Sequence, residues 1–302
     1  MAGSQDFAAD PRNKHLLVHL NGALVPTAEA QVSIFDAGFG MGDGVWEGLR
    51  LHKGALLFLD AHLDRLYAGA EAIRIDVGLR RGEMVAVLKR LLDANGMTDG
   101  AHLRLMVTRG LKASINQDPR NALGKATVAI TAEYKHSVPG PGLVLRSVPT
   151  RTTGPEMFDM RLNSHSRLGL IRALLEAIDL GADEALMLDP HGNVASCNAT
   201  NFFWVKGGTV FTSGDRYCFN GITRGNVIAA CRAGAAPLEQ GDFALSRVAD
   251  ADEAFVTGTM GGVSPVREID GRALPAWGPV TMRLAEAYAA TKDADAAANP
   301  LV

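Results

Sequence analysis

The chain has 302 residues, enough for two hydrophobic cores rather than one, and 47% of them are apolar, which is ample material to fill both. A formal net charge of -3 without a basic cluster argues against nucleic acid or an anionic membrane surface as a partner. The opening residues Met1-Ala2-Gly3-Ser4-Gln5-Asp6-Phe7 lack a basic region followed by an apolar run, and no later stretch approaches the roughly 18 apolar residues of a membrane span, so a soluble cytoplasmic protein is expected. Cys197, Cys218 and Cys231 are odd in number and lack metal-site spacing, which predicts reduced structural thiols and neither a disulfide framework nor a zinc site.

In chain order, residues 15–32 alternate apolar and polar around Asn21-Gly22, the pattern of a β-hairpin. Helical spacing follows twice. Leu63, Leu66 and Ala70 mark a helix over 62–72, and Met84, Leu88, Leu91 and Leu92 mark another over 81–95 that stops at Gly96. Strands over 101–108 and 126–133 complete a small α+β domain. The run 134–142 breaks both periodicities and concentrates Pro and Gly, so the boundary is placed there, giving domains 1–137 and 138–302. The larger second domain carries predicted strands at 143–148, 184–188, 201–206 and 254–256, with helices at 167–180, 223–233 and 280–290. The Ala-rich tail beyond Lys292 is expected to be disordered.

Several short motifs point to one family. They are Gly42-Asp43-Gly44-Val45-Trp46-Glu47-Gly48-Leu49-Arg50, His62-Leu63-Asp64-Arg65-Leu66, Asn220-Gly221-Ile222-Thr223-Arg224 and Thr257-Gly258-Thr259-Met260-Gly261-Gly262. With the run 181–189 (GADEALMLD) fixing register, the chain over about residues 15–290 resembles the class IV aminotransferases, the pyridoxal-phosphate (PLP) family of branched-chain and D-amino-acid aminotransferases and aminodeoxychorismate lyase. The resemblance implies an α+β, two-domain PLP fold type IV, a cleft between the domains and a homodimer.

It also implies site roles. Arg65, Phe219, Ile222, Thr223 and Thr259 fall at cofactor positions, the last four around a phosphate cup that opens a helix. A guanidinium suits phosphate because its planar fork donates two parallel charge-assisted bonds, and a helix N-terminus suits it because its first N–H groups are unpaired. Trp46, Arg104, Arg167 and Met260 fall at substrate positions. Two reactive positions depart from the pattern. Asn163 stands in the lysine slot, and Ser196, within residues 194–201, stands where a glutamate would hold the pyridine nitrogen. An amide is neither nucleophile nor base at neutral pH, so covalent cofactor attachment and ordinary transamination are not expected.

Substitute groups are His165, the acid–base side chain beside Asn163, and Lys112 on the loop after Thr108. Their alternatives are a histidine turned away from the cleft and a solvated loop lysine. Ser114 and Asn116 occupy positions where D-amino-acid enzymes trap a carboxylate, which speaks against that specificity. The glycines near Gly42 do not form a dinucleotide loop, and no nucleophile elbow, P-loop or paired-histidine motif occurs. Three functions stay open. The first is an enzyme acting on a small carboxylated or phosphorylated metabolite without lysine chemistry, the second slow amino-group chemistry on noncovalent PLP, and the third a non-catalytic ligand binder.

Overall fold

The computed structural model describes residues 7–136 and 140–302. The readings made for Met1–Asp6 and for the linker centre, Ser137–Pro139, fall outside them. The chain forms two compact units. One gathers Ala8–His136, Leu162–Arg167 and Asp293–Val302; the other gathers Phe7, 140–161 and 168–292.

The first unit is built on a six-stranded antiparallel sheet: β1 (Leu17–Leu20), β2 (Ala23–Pro26), β3 (Gly44–His52), β4 (Ala55–Leu56), β5 (Ala101–Thr108) and β6 (Thr127–Tyr134), in the order β2-β1-β6-β5-β3-β4. The expected hairpin forms at Asn21-Gly22, whose φ angles of 49° and 96° are those that a two-residue turn matched to strand twist requires. The short helix α1 (Ala37–Met41) is capped by the Asp36 carboxylate, which takes the Gly38 N–H and the hydroxyls of Thr108 and Thr127. Helices α2 (Leu59–Ala72) and α3 (Arg81–Ala94) bury Leu63, Leu66, Met84, Leu88, Leu91 and Leu92, the residues that the periodicity selected, in one core with Leu49, Leu103 and Ile130. The glycine-rich motif is mostly strand: Gly42 is the left-handed cap that ends α1, and Gly44 already begins β3.

The second unit carries β7 (Leu143–Ser147), β8 (Glu184–Leu188), β9 (Val194–Cys197), β10 (Asn201–Lys206), β11 (Thr209–Ser213), β12 (Leu238–Gly241), β13 (Glu253–Gly258), β14 (Gly262–Ile269) and β15 (Arg272–Ala273). They form one mixed sheet, order β12-β11-β10-β13-β14-β7-β8-β9, with β15 paired to β14. Trp204, Phe202 and Phe211 stack in its core. Helix α4 (Leu168–Asp179) packs on the sheet through Ala173 and Ala177, and α5 (Ile222–Ala230) contacts β13.

The tail departs from expectation. Helix α6 (Pro279–Ala298) continues past Lys292. Alanine has the highest helix propensity, and the end is anchored to the first unit. Asp295 accepts the Phe58 N–H at 2.7 Å, Ala296 is buried with Ala55 and Leu57, and the Leu301 and Val302 N–H groups donate to the Gly54 carbonyl. The three cysteines are buried and free, and among the described residues no helix is long and apolar enough to cross a membrane.

Candidate functional site

Strand β3 sets out the candidate site of the first unit. Side chains alternate along a strand, so Trp46 and Gly48 share one face and Glu47 takes the other. On β5, Arg104 lies opposite Gly48. Because Gly48 has no side chain, the Arg104 guanidinium can lie across to Trp46, 3.8 Å from the ring centroid. Burial lowers the Arg104 pKa.

On the other face, Glu47 is fully buried against α2. Its carboxylate accepts two bonds from Arg65, both 2.7 Å, and a third from His62 Nδ1 at 2.6 Å. Burial by itself would raise the Glu47 pKa, but the bonds to Arg65 and His62 outweigh it and hold the carboxyl below its usual value. Arg65 therefore has its fork on a carboxylate, an arrangement that the motif alone did not disclose. Glu47 and His62 sit inside quoted motifs, yet nothing in their spacing announced the pair. The available signal was a charged residue at a core-facing position of a buried strand, which requires a partner.

The segment Leu162–Arg167 belongs to this same unit rather than to the C-terminal domain where the sequence boundary puts it, and backbone bonds supply the reason. Trp46 N donates to the Asn163 carbonyl at 2.8 Å, His165 N to the Gly44 carbonyl at 3.0 Å, and the Trp46 indole N–H to the Ser164 carbonyl at 3.2 Å. The segment thus adds to the start of β3. The glycines permit this approach: a Cβ on Gly44 would meet His165 Cδ2 at 2.7 Å, and one on Gly42 would meet Ser166 Oγ at 2.6 Å. They are contact glycines, which agrees with their failure as a dinucleotide loop.

Asn163 is buried, and its amide oxygen accepts a hydrogen bond from Arg167 Nη2. The Arg167 guanidinium also lies 5.1 Å from the Trp46 ring centroid. Burial first, then the charges of Arg104 and Arg65, lower its pKa to about 10, so it stays cationic at neutral pH. His165 lies in the same group. Burial, with Arg104 and Arg167 nearby, brings its pKa to about 4, so its ring is neutral at pH 7. Its Nε2 is buried without a hydrogen-bond partner.

Lys112 is neither solvated nor on Asn163. It is buried in its own loop, with Nζ donating to the Asn116 carbonyl at 2.5 Å. His102, not singled out from the sequence, is a neighbour of Gly48. Burial, followed by the charges of Lys135, Arg50 and Arg104, holds its pKa at about 3.

The second unit carries the residues that the sequence places around a phosphate cup. Helix α5 begins at Ile222 and Thr223 behind Gly221, which offers no side-chain cap to the first N–H groups of the helix. Asn201 closes the back of this terminus, donating to the Phe219 carbonyl at 2.6 Å, and a Cβ on Gly221 would meet Asn201 Oδ1 at 2.3 Å. Thr223 Oγ1 lies 3.3 Å from the Tyr288 hydroxyl. Thr257, paired with Asn201 across the sheet, keeps a buried hydroxyl without a partner. Thr259 and the buried Met260 form the turn between β13 and β14. Ser196 is buried on β9, and its hydroxyl donates to the Thr200 carbonyl at 2.8 Å. That bond uses its only proton, and the residue cannot supply the negative charge of a carboxylate.

The chain matches the class IV aminotransferase family over residues 44–269. It is 39% identical over 282 residues, 92% of its length, to branched-chain-amino-acid aminotransferase-like protein 1 of Arabidopsis thaliana, and it spans about half, 51%, of that longer relative. It is 34% identical to the putative branched-chain-amino-acid aminotransferase of Methanocaldococcus jannaschii, covering 90% of this chain and 94% of that one. Among solved structures it resembles the branched-chain aminotransferase of Thermoproteus uzoniensis with norvaline, with a TM-score of 0.86, 29% identity and coverage of 95% and 100% of the two chains. The chain belongs to the class IV aminotransferase family. Its fold is the PLP fold type IV of the branched-chain aminotransferases.

Proposed function

We propose that this family member holds a small carboxylate-bearing molecule, and that it does so without lysine-dependent transamination. The observation that carries this reading is the occupant of the lysine slot. Asn163 is buried, cannot act as an amine, and has its amide oxygen engaged by Arg167, while Arg104 and Arg167 bring two guanidiniums to one indole. Two guanidiniums beside one indole put positive charge and planar forks where a carboxylate can be met by charge-assisted hydrogen bonds.

PLP, the cofactor that membership of the family implies, fits in part. The start of α5 with Thr223 and Thr259 suits its phosphate. Ser196 does not suit its ring nitrogen, because a hydroxyl cannot replace a carboxylate, and in the other unit Asn163 offers no imine-forming amine. Noncovalent PLP is the second reading, favoured by the uncapped helix terminus.

A cytoplasmic homodimer is part of the proposal. Leu168, Ile171, Leu175 and Ile178, exposed at spacings of three and four along α4, give a second copy an apolar stripe to cover. The test combines calorimetry with a panel of small carboxylates and absorbance spectra in the presence of PLP. Saturable carboxylate binding without a Schiff-base band is expected. A Schiff-base band with turnover of amino donors would overturn the reading.

A further inference from the structure

We infer that the C-terminal end of α2 carries a second small-molecule site, one that takes a zwitterionic α-amino acid with an apolar side chain. A cavity of about 450 Å³ opens between the last turns of α2 and the segment that follows it, with walls of Tyr67, Ile75 and Val77 and a rim of Glu71, Arg74 and Asp76. Small-molecule pockets run from about 300 to about 1,000 Å³, so the space suits a metabolite. It lies apart from the site around Trp46. Helix α2 packs on the face of β3 that Val45 and Glu47 present, where a Cβ on Gly69 would touch Val45 Cγ1 at 3.4 Å, whereas Trp46 takes the opposite face.

The walls are tied down by bonds along the whole segment. The Tyr67 hydroxyl donates to the Leu79 carbonyl at 2.7 Å and the Ile75 N–H to the Ala70 carbonyl at 2.8 Å. Arg109 donates to the Ile73 and Arg74 carbonyls at 2.8 and 3.1 Å, and the Gly78 N–H fixes the Asp76 carboxylate at 2.9 Å. Two rim residues stand where the fold alone disfavours them. Arg74 follows the C-cap of α2 with φ 55°, the left-handed conformation that glycine ordinarily takes there. Glu71 puts negative charge in the last turn of α2, at the negative end of the helix dipole. Around the cavity these groups match an amino acid part by part. The Arg74 fork suits the carboxylate, Glu71 and Asp76 suit the ammonium, and Ile75 and Val77 suit the apolar side chain.

Calorimetry on the full chain tests this with L-leucine, with 4-methylpentanoate, which lacks the ammonium, and with isoamylamine, which lacks the carboxylate. L-leucine is expected to bind saturably, and each analogue at least ~10-fold more weakly. Arg74→Gly and Glu71→Gln should each lose at least ~10-fold in L-leucine affinity. Thermal melting is the folding control, and Arg74→Gly should melt no lower than the parent, because glycine suits that φ. Arg74→Lys should recover part of the affinity, since it restores charge without the fork. An arginine that served the helix end alone would shift the melting curve and leave affinity untouched. Parent-like L-leucine binding by Arg74→Gly and Glu71→Gln would overturn the inference and leave the proposed function standing, since the amino acid would then be held elsewhere. Failure of the parent to bind L-leucine would also overturn it, as would isoamylamine or 4-methylpentanoate binding as tightly as L-leucine.

Discussion

The start of α5 and the loop at Asn163 are both proposed to meet negative charge, yet they are made of different atoms. Around Ile222 and Thr223 the donors are main-chain N–H groups, which every residue except proline supplies, and they depend on side chains mainly through the space left by Gly221. At Asn163 the chemistry depends on which single atom ends the side chain. A site built from backbone tolerates sequence change and a site built from one amine does not. On the proposed reading, the same chain can therefore keep a phosphate cup and lose the group that would make an imine.

The largest expected effect breaks the side-chain half. Glu47→Ala strands the Arg65 guanidinium and His62 beside a fully buried position, and loss of one partner of a buried pair costs about 3–5 kcal/mol. Chemical denaturation measures this directly. Because the Glu47 pKa is depressed in the fold, its contribution is present above the unfolded carboxyl value near ~4.3 and is lost as the pH falls through the folded value. Glu47→Gln should flatten that acid limb.

Next comes the backbone half. Gly221→Ala places a methyl 2.3 Å from Asn201 Oδ1 and should cost about 1–3 kcal/mol while weakening phosphate binding. The double variant with Asn201→Ala should regain part of the stability, because the obstacle is gone. Unchanged phosphate binding by Gly221→Ala would rule out the α5 terminus as a phosphate site.

A smaller effect concerns His165. Its pKa of about 4 lies below the ordinary value near ~6.5, so the unfolded chain binds the proton more readily. Its contribution to stability is complete above pH ~6.5 and falls as the pH drops toward about 4. His165→Gln should reduce the slope of stability against pH in that window, as followed by urea midpoints. His102, with a pKa of about 3, adds to the same trend and should persist in the variant. The smallest effect is at the C-terminal anchor. Asp295→Ala removes the acceptor for the Phe58 N–H at the head of α2, at a cost of about 1 kcal/mol, read by faster amide exchange at Phe58.

Much of this was legible in the sequence. The Asn21-Gly22 turn, the faces of α2 and α3, and the helix start behind Gly221 carry local signals: positive φ at a turn, periodicity, and a glycine before a helix. What stayed hidden depends on partners distant in the chain. Glu47 with Arg65 and His62, Lys112 with Asn116, and the grip of Asp295 on α2 are side-chain pairings that no spacing rule encodes. The helical tail illustrates the point, since its alanines read equally as low complexity or as good helix formers. The anchoring by Asp295 and Ala296 accompanies the second outcome. The change of unit at Leu162–Arg167 was hidden for the same reason: backbone bonds to β3 draw the segment to the first unit.

The proposed function rests on one absence, that of an amine poised to bond a carbonyl cofactor. Incubation of the purified protein with PLP, borohydride reduction and peptide mass mapping tests it most directly. No lysine, Lys112 included, is expected to carry a pyridoxyl group. A stoichiometric adduct on Lys112 or any other lysine would contradict the proposal.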